Sequence, residues 1–185
     1  MKKITYLNKK DVREPIGDQI KLICHCCNDI GAMGSGVAKA LFLKWPTVRT
    51  EYIADYKNKE NSNLGDVQYI PVEKDTVVCN IIGQHTISKN KDGGPPVRYW
   101  AIKKGFDSIR NNFQKRNFSI HIPYLMGSEL AGGRWEEVEA IINDCFAAYD
   151  IDVYIYDIDG KRNYNQDPVI QKNEDEDEDD VDFIF

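Results

Sequence analysis

Twice in this chain an apolar strand runs into a glycine-rich loop that opens a helix. KLICHCCN (21–28) leads into NDIGAMGSG and then VAKALFLKW, and SIHIPYL (119–125) leads into GSELAGG and then RWEEVEAIINDCFAAY. In an open α/β sheet, ligands bind beyond the carboxyl ends of the strands. A helix N-terminus there offers unpaired N–H groups and a partial positive charge, which suits phosphate. Gly31, Gly34 and Gly36 let main-chain amides approach a pyrophosphate without a Cβ clash, and Gly127, Gly132 and Gly133 are placed to clamp it from the other side. Neither loop carries the G-x-x-x-x-G-K-[ST] phosphate loop or the G-x-G-x-x-G dinucleotide fingerprint. Each loop taken singly is also compatible with a purely structural turn. The residues alone therefore lead to a phosphate-containing ligand in a crevice and no further.

The remaining pattern alternates strands with helices. ITYLN (4–8), DVQYIPV (66–72), TVVCNII (76–82) and DVYIYDI (152–158) read as strands; TVRTEYIADYKNK and VRYWAIKKGFDSIRNNFQK read as helices, the latter despite Gly105. The expected fold class is α/β, a three-layer α/β/α sandwich. Its central sheet is expected to be mixed, because no helix separates the first two strands. With 185 residues the chain has room for one domain, expected at 1–160, followed by an acidic C-terminal tail at 161–185 that loses apolar periodicity and reads as disordered.

The net charge of −6 belongs to that tail. Residues 174–182, EDEDEDDVD, hold eight acids in nine positions, and without residues 174–185 the chain carries 24 basic and 22 acidic groups. Such a domain is near neutral, with no strong basic excess to hold nucleic acid. No apolar run approaches the ~20 residues of a membrane span, and no apolar segment follows the N-terminal lysines as in a signal peptide. Five cysteines, an odd number, then point to reduced thiols and a cytoplasmic setting. Cys24, Cys26 and Cys27 lack paired C-x2-C spacing and read as core residues rather than metal ligands.

The stretch CNDIGAMGSGVAKALFLKWP resembles the first ligand loop and following helix of macro domains. LGDVQYIPV, NIIGQH, GGPPVRYWAIKKGF and IPYLMGSELAGGRWEEVE extend the likeness in order over about residues 3–158. The resemblance is to the branch with ADP-ribose 1''-phosphate phosphatases, terminal ADP-ribose glycohydrolases and DNA ADP-ribosyl glycohydrolases, and to phage and bacterial macro domain-like proteins. It implies a ligand site for ADP-ribose or ADP-ribose 1''-phosphate, with no metal and no cofactor. It places Asp11 at the adenine amino group and Asn28 at the distal ribose. Gly31, Met33, Gly34, Ser35, Gly36 and Val37 would wrap the diphosphate, with Gly127, Ser128, Glu129, Leu130, Ala131 and Gly132 opposite. His25 stands where the yeast-type phosphatase has a catalytic histidine, so His25, Asn28 and His85 are the expected catalytic residues. His121, inside a strand, is expected to be structural.

The chain departs from its likeness in two places. Gln84 occupies the position of a glycohydrolase lysine, and an amide cannot form the adduct an amine allows. The second loop reads GSELAGGRW where relatives often read GCGLAGGDW, so Arg134 replaces an acid and Glu129 is the nearest loop carboxylate. These changes disfavour lysine-dependent deglycosylation. A phosphatase acting through water held by His25, a non-catalytic ADP-ribose reader and an ADP-ribosyl glycohydrolase remain as alternatives, with ADP-ribosylated DNA the one nucleic-acid target in keeping with the branch. The segment EDEDEDDVDFIF resembles the C-terminal tips of single-stranded DNA-binding proteins, which implies a protein partner; a solubilising tail is the plainer alternative.

Overall fold

In the computed structural model, the described residues are 4–88 and 93–162. Among these residues six strands form one sheet: β1 (Ile4–Asn8), β2 (Ile20–Asn28), β3 (Val67–Glu73), β4 (Thr76–Gln84), β5 (Phe118–Pro123) and β6 (Asp152–Asp157). Four helices accompany them: α1 (Gly36–Lys44), α2 (Thr47–Asn58), α3 (Tyr99–Phe113) and α4 (Trp135–Cys145). The spatial order is β1-β6-β5-β2-β4-β3. Every neighbouring pair is parallel except β3 with β4. The sheet is thus mixed, as expected, but for a different reason. β1 and β2 are not neighbours, and the antiparallel pairing comes from the tight β3–β4 hairpin, since parallel neighbours need a longer crossover.

Two apolar layers flank the sheet. On β2, Leu22 and Cys24 face α3 and α4, whereas Ile23 and Cys27 face α1 and α2. β4 alternates in the same way, with Cys79 and Ile81 on the first side and Val78 and Ile82 on the second. Burial on both faces explains why these strands read as continuous apolar runs. Gly105, out of place in a helix by propensity, lets α3 lie close on β4: a Cβ there would come within 2.6 Å of Ile81 Cγ2. The cysteines are free thiols packed in or beside this core. Among the described residues no group of three metal-ligating side chains occurs, and no helix is long and apolar enough to cross a membrane.

The segment read as a tail lies outside the described residues apart from its first two. Lys161 and Arg162 donate main-chain N–H groups to the Asp157 carboxylate at 3.0 and 2.9 Å, and the Arg162 guanidinium stacks 3.4 Å from the Tyr6 ring centroid. The compact unit therefore extends at least to residue 162.

Candidate functional site

β2 and β5 are adjacent and parallel, and their chains leave in opposite directions. After β2 the chain turns to the α1–α2 layer, and after β5 to the α4 layer. This is a topological switch point, where a crevice opens beyond the strand ends. Its outer part holds about 440 Å³ and is bordered by Cys27, Asn28, Met33, Gly34 and Ile87. A smaller recess of about 100 Å³ is bordered by His25, Val37, Gly127, Glu129 and Ala131. Cys26, Ser35, Gln84 and Leu130 line both. A larger depression, about 620 Å³, lies on α3 around Trp100 and Lys103 and shares no lining residue with the crevice.

The crevice walls carry main-chain donors. Among the described residues, the N–H groups of Gly34, Ser35, Gly36 and Val37 have no acceptor, and neither do those of Glu129, Leu130, Ala131 and Gly132. The first run is the α1 N-terminus, which has no acidic residue in its first turn, whereas α4 begins with Glu136 and Glu137. The α1 end therefore keeps its positive potential for an external anion.

Local bonds hold both loops in shape. The Asn28 amide oxygen accepts from the N–H groups of Ile30 and Ala32 at 3.2 and 3.0 Å, and its NH2 donates to the Ala32 carbonyl at 2.5 Å. Tyr52 clamps the same residue, its hydroxyl donating to the Asn28 carbonyl at 2.6 Å. Asn28, the expected ribose contact, thereby organises the loop. The second loop is closed by Gly133 N–H to the Gly127 carbonyl at 3.1 Å. A Cβ on Gly133 would lie 2.4 Å from that same carbonyl oxygen and 3.0 Å from Val97 Cγ1. Gly133→Ala is therefore expected to cost about 2 kcal/mol through overpacking against backbone, read as a melting temperature lower by about 4–8 °C.

The three expected catalytic residues do not converge on one point. His25 is 2% exposed, and its Nε2 lies 2.5 Å from Asn80 Oδ1, part of a buried chain that continues from Asn80 Nδ2 to Gln68 Oε1. Burial holds its pKa down to about 4, so the ring is neutral. Only Nδ1 lacks an oxygen partner; Cys27 Sγ lies 3.7 Å from it. His85 is exposed and borders neither part of the crevice, though its chain neighbour Gln84 lines both; its Nδ1 is 2.7 Å from Asp29 Oδ2, while Asp29 Oδ1 accepts the Thr86 N–H. Asp29, which follows Asn28, escaped sequence reasoning; its signal was an acid at the end of the strand that feeds the loop.

Asp11 and Glu129 both have basic partners. Burial pushes the Asp11 pKa up, but bidentate bonds from Arg13 and the Arg13 main-chain N–H outweigh this and hold it below the usual carboxylate range. Glu129 meets Lys161 at 2.5 Å, so the loop carboxylate is tied to the end of the described chain. Gln84 directs its NH2 to the Thr86 carbonyl at 2.8 Å. On the crevice wall, burial pushes the Cys26 thiol up to about 12, leaving it protonated. His121 is enclosed between Ser119 and Tyr156 at 2.9 and 2.8 Å.

No protein-family model matches the chain. Among curated proteins it is 26% identical over 161 residues to mouse chromodomain-helicase-DNA-binding protein 1-like, matching 83% of this chain but only 17% of that protein's length. It is 26% identical over 149 residues to the ADP-ribose 1''-phosphate phosphatase of Lodderomyces elongisporus, matching 77% of this chain and 91% of that one. Among solved structures, a Bacteroides thetaiotaomicron protein of unknown function is 40% identical with a TM-score of 0.81, covering 84% of this chain and 98% of that chain. A macrodomain protein from Streptomyces coelicolor is 33% identical with a TM-score of 0.73, over 84% of this chain and 99% of that chain. With one residue in three shared across nearly the whole Streptomyces chain, and the same fold around the crevice, this protein belongs to the macrodomain family.

Proposed function

We propose that this chain binds ADP-ribose, or a derivative extended at the distal ribose, in the crevice between β2 and β5. The observation that carries this reading is the pair of unpaired main-chain N–H runs, 34–37 and 129–132, on the two loops that border one crevice. A diphosphate is a doubly charged, acceptor-rich group of the size two such runs can hold, and preorganised backbone donors need no reorganisation to meet it. In this reading Gly31 and Met33–Val37 form one lip, and Gly127–Gly132 the other. Asp11 receives the adenine amino group while remaining paired with Arg13, and the distal ribose lies toward Asn28. Calorimetric titration with ADP-ribose tests this; an absence of heat at millimolar ligand would overturn it.

A hydrolytic reading, with ADP-ribose 1''-phosphate as substrate, is favoured by the likeness to the Lodderomyces phosphatase along most of its length. Water would attack the terminal phosphorus, and the bond from phosphorus to the ribose oxygen would break. The proton given up by water would pass to that oxygen, so that it leaves as a hydroxyl with inorganic phosphate as the other product, and loop amides would stabilise the charge that develops. His25 has one nitrogen committed to Asn80, so its part is to hold water through Nδ1. His85 is the more accessible base, its Nδ1 fixed by Asp29. Phosphate release by the purified protein separates this reading from the non-catalytic one. His85→Gln should then lower turnover by about 10²-fold while leaving ADP-ribose affinity within twofold or so. Turnover unchanged in that variant would remove His85 from the mechanism.

A further inference from the structure

Among the described residues the sheet has an open side that does not border the crevice: β3 is the last strand and pairs with β4 alone. The Ile82 N–H donates to the Asp66 carbonyl at 3.0 Å, so by antiparallel alternation Gln68 and Ile70 turn their main-chain groups toward β4. Val67 and Tyr69 then turn theirs outward. Among the described residues nothing pairs with them there. Pro71, lacking an N–H, ends the row of donors, and the register shifts between Pro71 and Glu73.

A helix faces this edge. Thr47, Glu51 and Asp55 lie one turn apart on α2 and, with residues 67–71, border a groove of about 520 Å³. Asn61 also borders it, its NH2 donating to Asp55 Oδ2 at 3.1 Å. Among the described residues, no lysine, arginine or histidine lines the groove. Glu51 has no ion-pair partner among the described residues, so the two carboxylates are uncompensated by any cation. Gln68, which also lines the groove, is 4% exposed, and its side-chain Nε2 has no acceptor. Residues four apart on a helix rise about 6 Å. Alternate residues of a strand are about 6.6–6.8 Å apart, so successive side chains on one face of a strand match the Glu51–Asp55 spacing.

We propose that the β3 edge and the acidic side of α2 form a docking groove for an extended basic peptide of a partner protein, which adds to the sheet as a seventh strand. Main-chain bonds to Val67 and Tyr69 supply affinity, and lysine or arginine at every second position meets Glu51 and Asp55. The chain's own acidic run, 174–182, is of the wrong sign to be the occupant. This inference is independent of the ADP-ribose reading, because the groove shares no residue with the crevice.

The test uses the full-length protein and a fluorescein-labelled acetyl-(Lys-Val)3-amide, with two further peptides N-methylated at the lysines or at the valines. Saturable binding at low salt is expected, with amides of Val67 and Tyr69 gaining protection from hydrogen exchange. Glu51→Lys with Asp55→Lys should weaken it by about tenfold or more, and so should the milder Glu51→Gln with Asp55→Asn pair, to a lesser degree. At least one N-methylated peptide should lose about tenfold, because it keeps charge while losing strand donors. The proposal fails if both N-methylated peptides bind as well as the parent, if neither charge variant changes affinity, if protection appears elsewhere, or if no saturable binding occurs.

Discussion

Gly34→Glu is expected to raise the Kd for ADP-ribose by about 100-fold, equivalent to about 2.7 kcal/mol, while leaving the fold intact. A Cβ built on Gly34 meets nothing within 4 Å, and Gly34 is not among the positive-φ glycines, so a side chain is accommodated without strain. The new carboxylate would sit beside the unpaired N–H groups of residues 34–37, in space bordering the outer crevice. It would take the donors for itself and repel a diphosphate. The melting temperature should move by no more than about 2 °C, as for other surface changes. Calorimetry on the folded variant is the check; affinity equal to that of the parent would show that the ligand does not use this lip.

Denaturant titrations between pH 7 and pH 4 are expected to show a steep loss of stability on the acid side, caused by two buried histidines. Burial lowers the pKa of His25 to about 4; burial, aided by the charge of Lys21, lowers that of His121 to about 3. In the unfolded chain both titrate near the ordinary value of about 6.5. Between about pH 6.5 and 4 the unfolded state therefore binds more protons than the folded one, so stability is fully present above pH 6.5 and falls as pH drops. Each histidine contributes up to about 1.4 kcal/mol per pH unit in that window. The His25 contribution levels off below about pH 4, and that of His121 below about pH 3. His25→Gln and His121→Gln should each remove about half of the slope. A stability curve that is level from pH 6.5 to 4, or slopes unchanged in both variants, would show that these rings are protonated in the folded protein.

The elements were legible in the sequence because each carried its own periodicity. The unbroken apolar run of β2, the Pro46 stop after α1 and the turn between β3 and β4 fixed their identities locally. The paired glycine loops also disclosed the class of ligand, since strand, glycine and helix N-terminus are consecutive in the chain. Side-chain partnerships were another matter. Asp11 with Arg13, two residues apart, was within reach of local reasoning, but His85 with Asp29, Glu129 with Lys161, and His25 with Asn80 join residues 56, 32 and 55 positions apart. Which imidazole nitrogen is free, and which carboxylate already has a cation, depends on those partners.

The sequence by itself determined the secondary structure, the α/β class and the placing of both glycine loops at strand ends, because these follow from short-range sterics and hydrophobic pattern. Tertiary structure alone decided the strand order that makes β2 and β5 neighbours, the burial that keeps His25 neutral, and the unpaired β3 edge beside Glu51 and Asp55. Those properties arise from contacts between distant segments, whose energies no local stretch of residues contains.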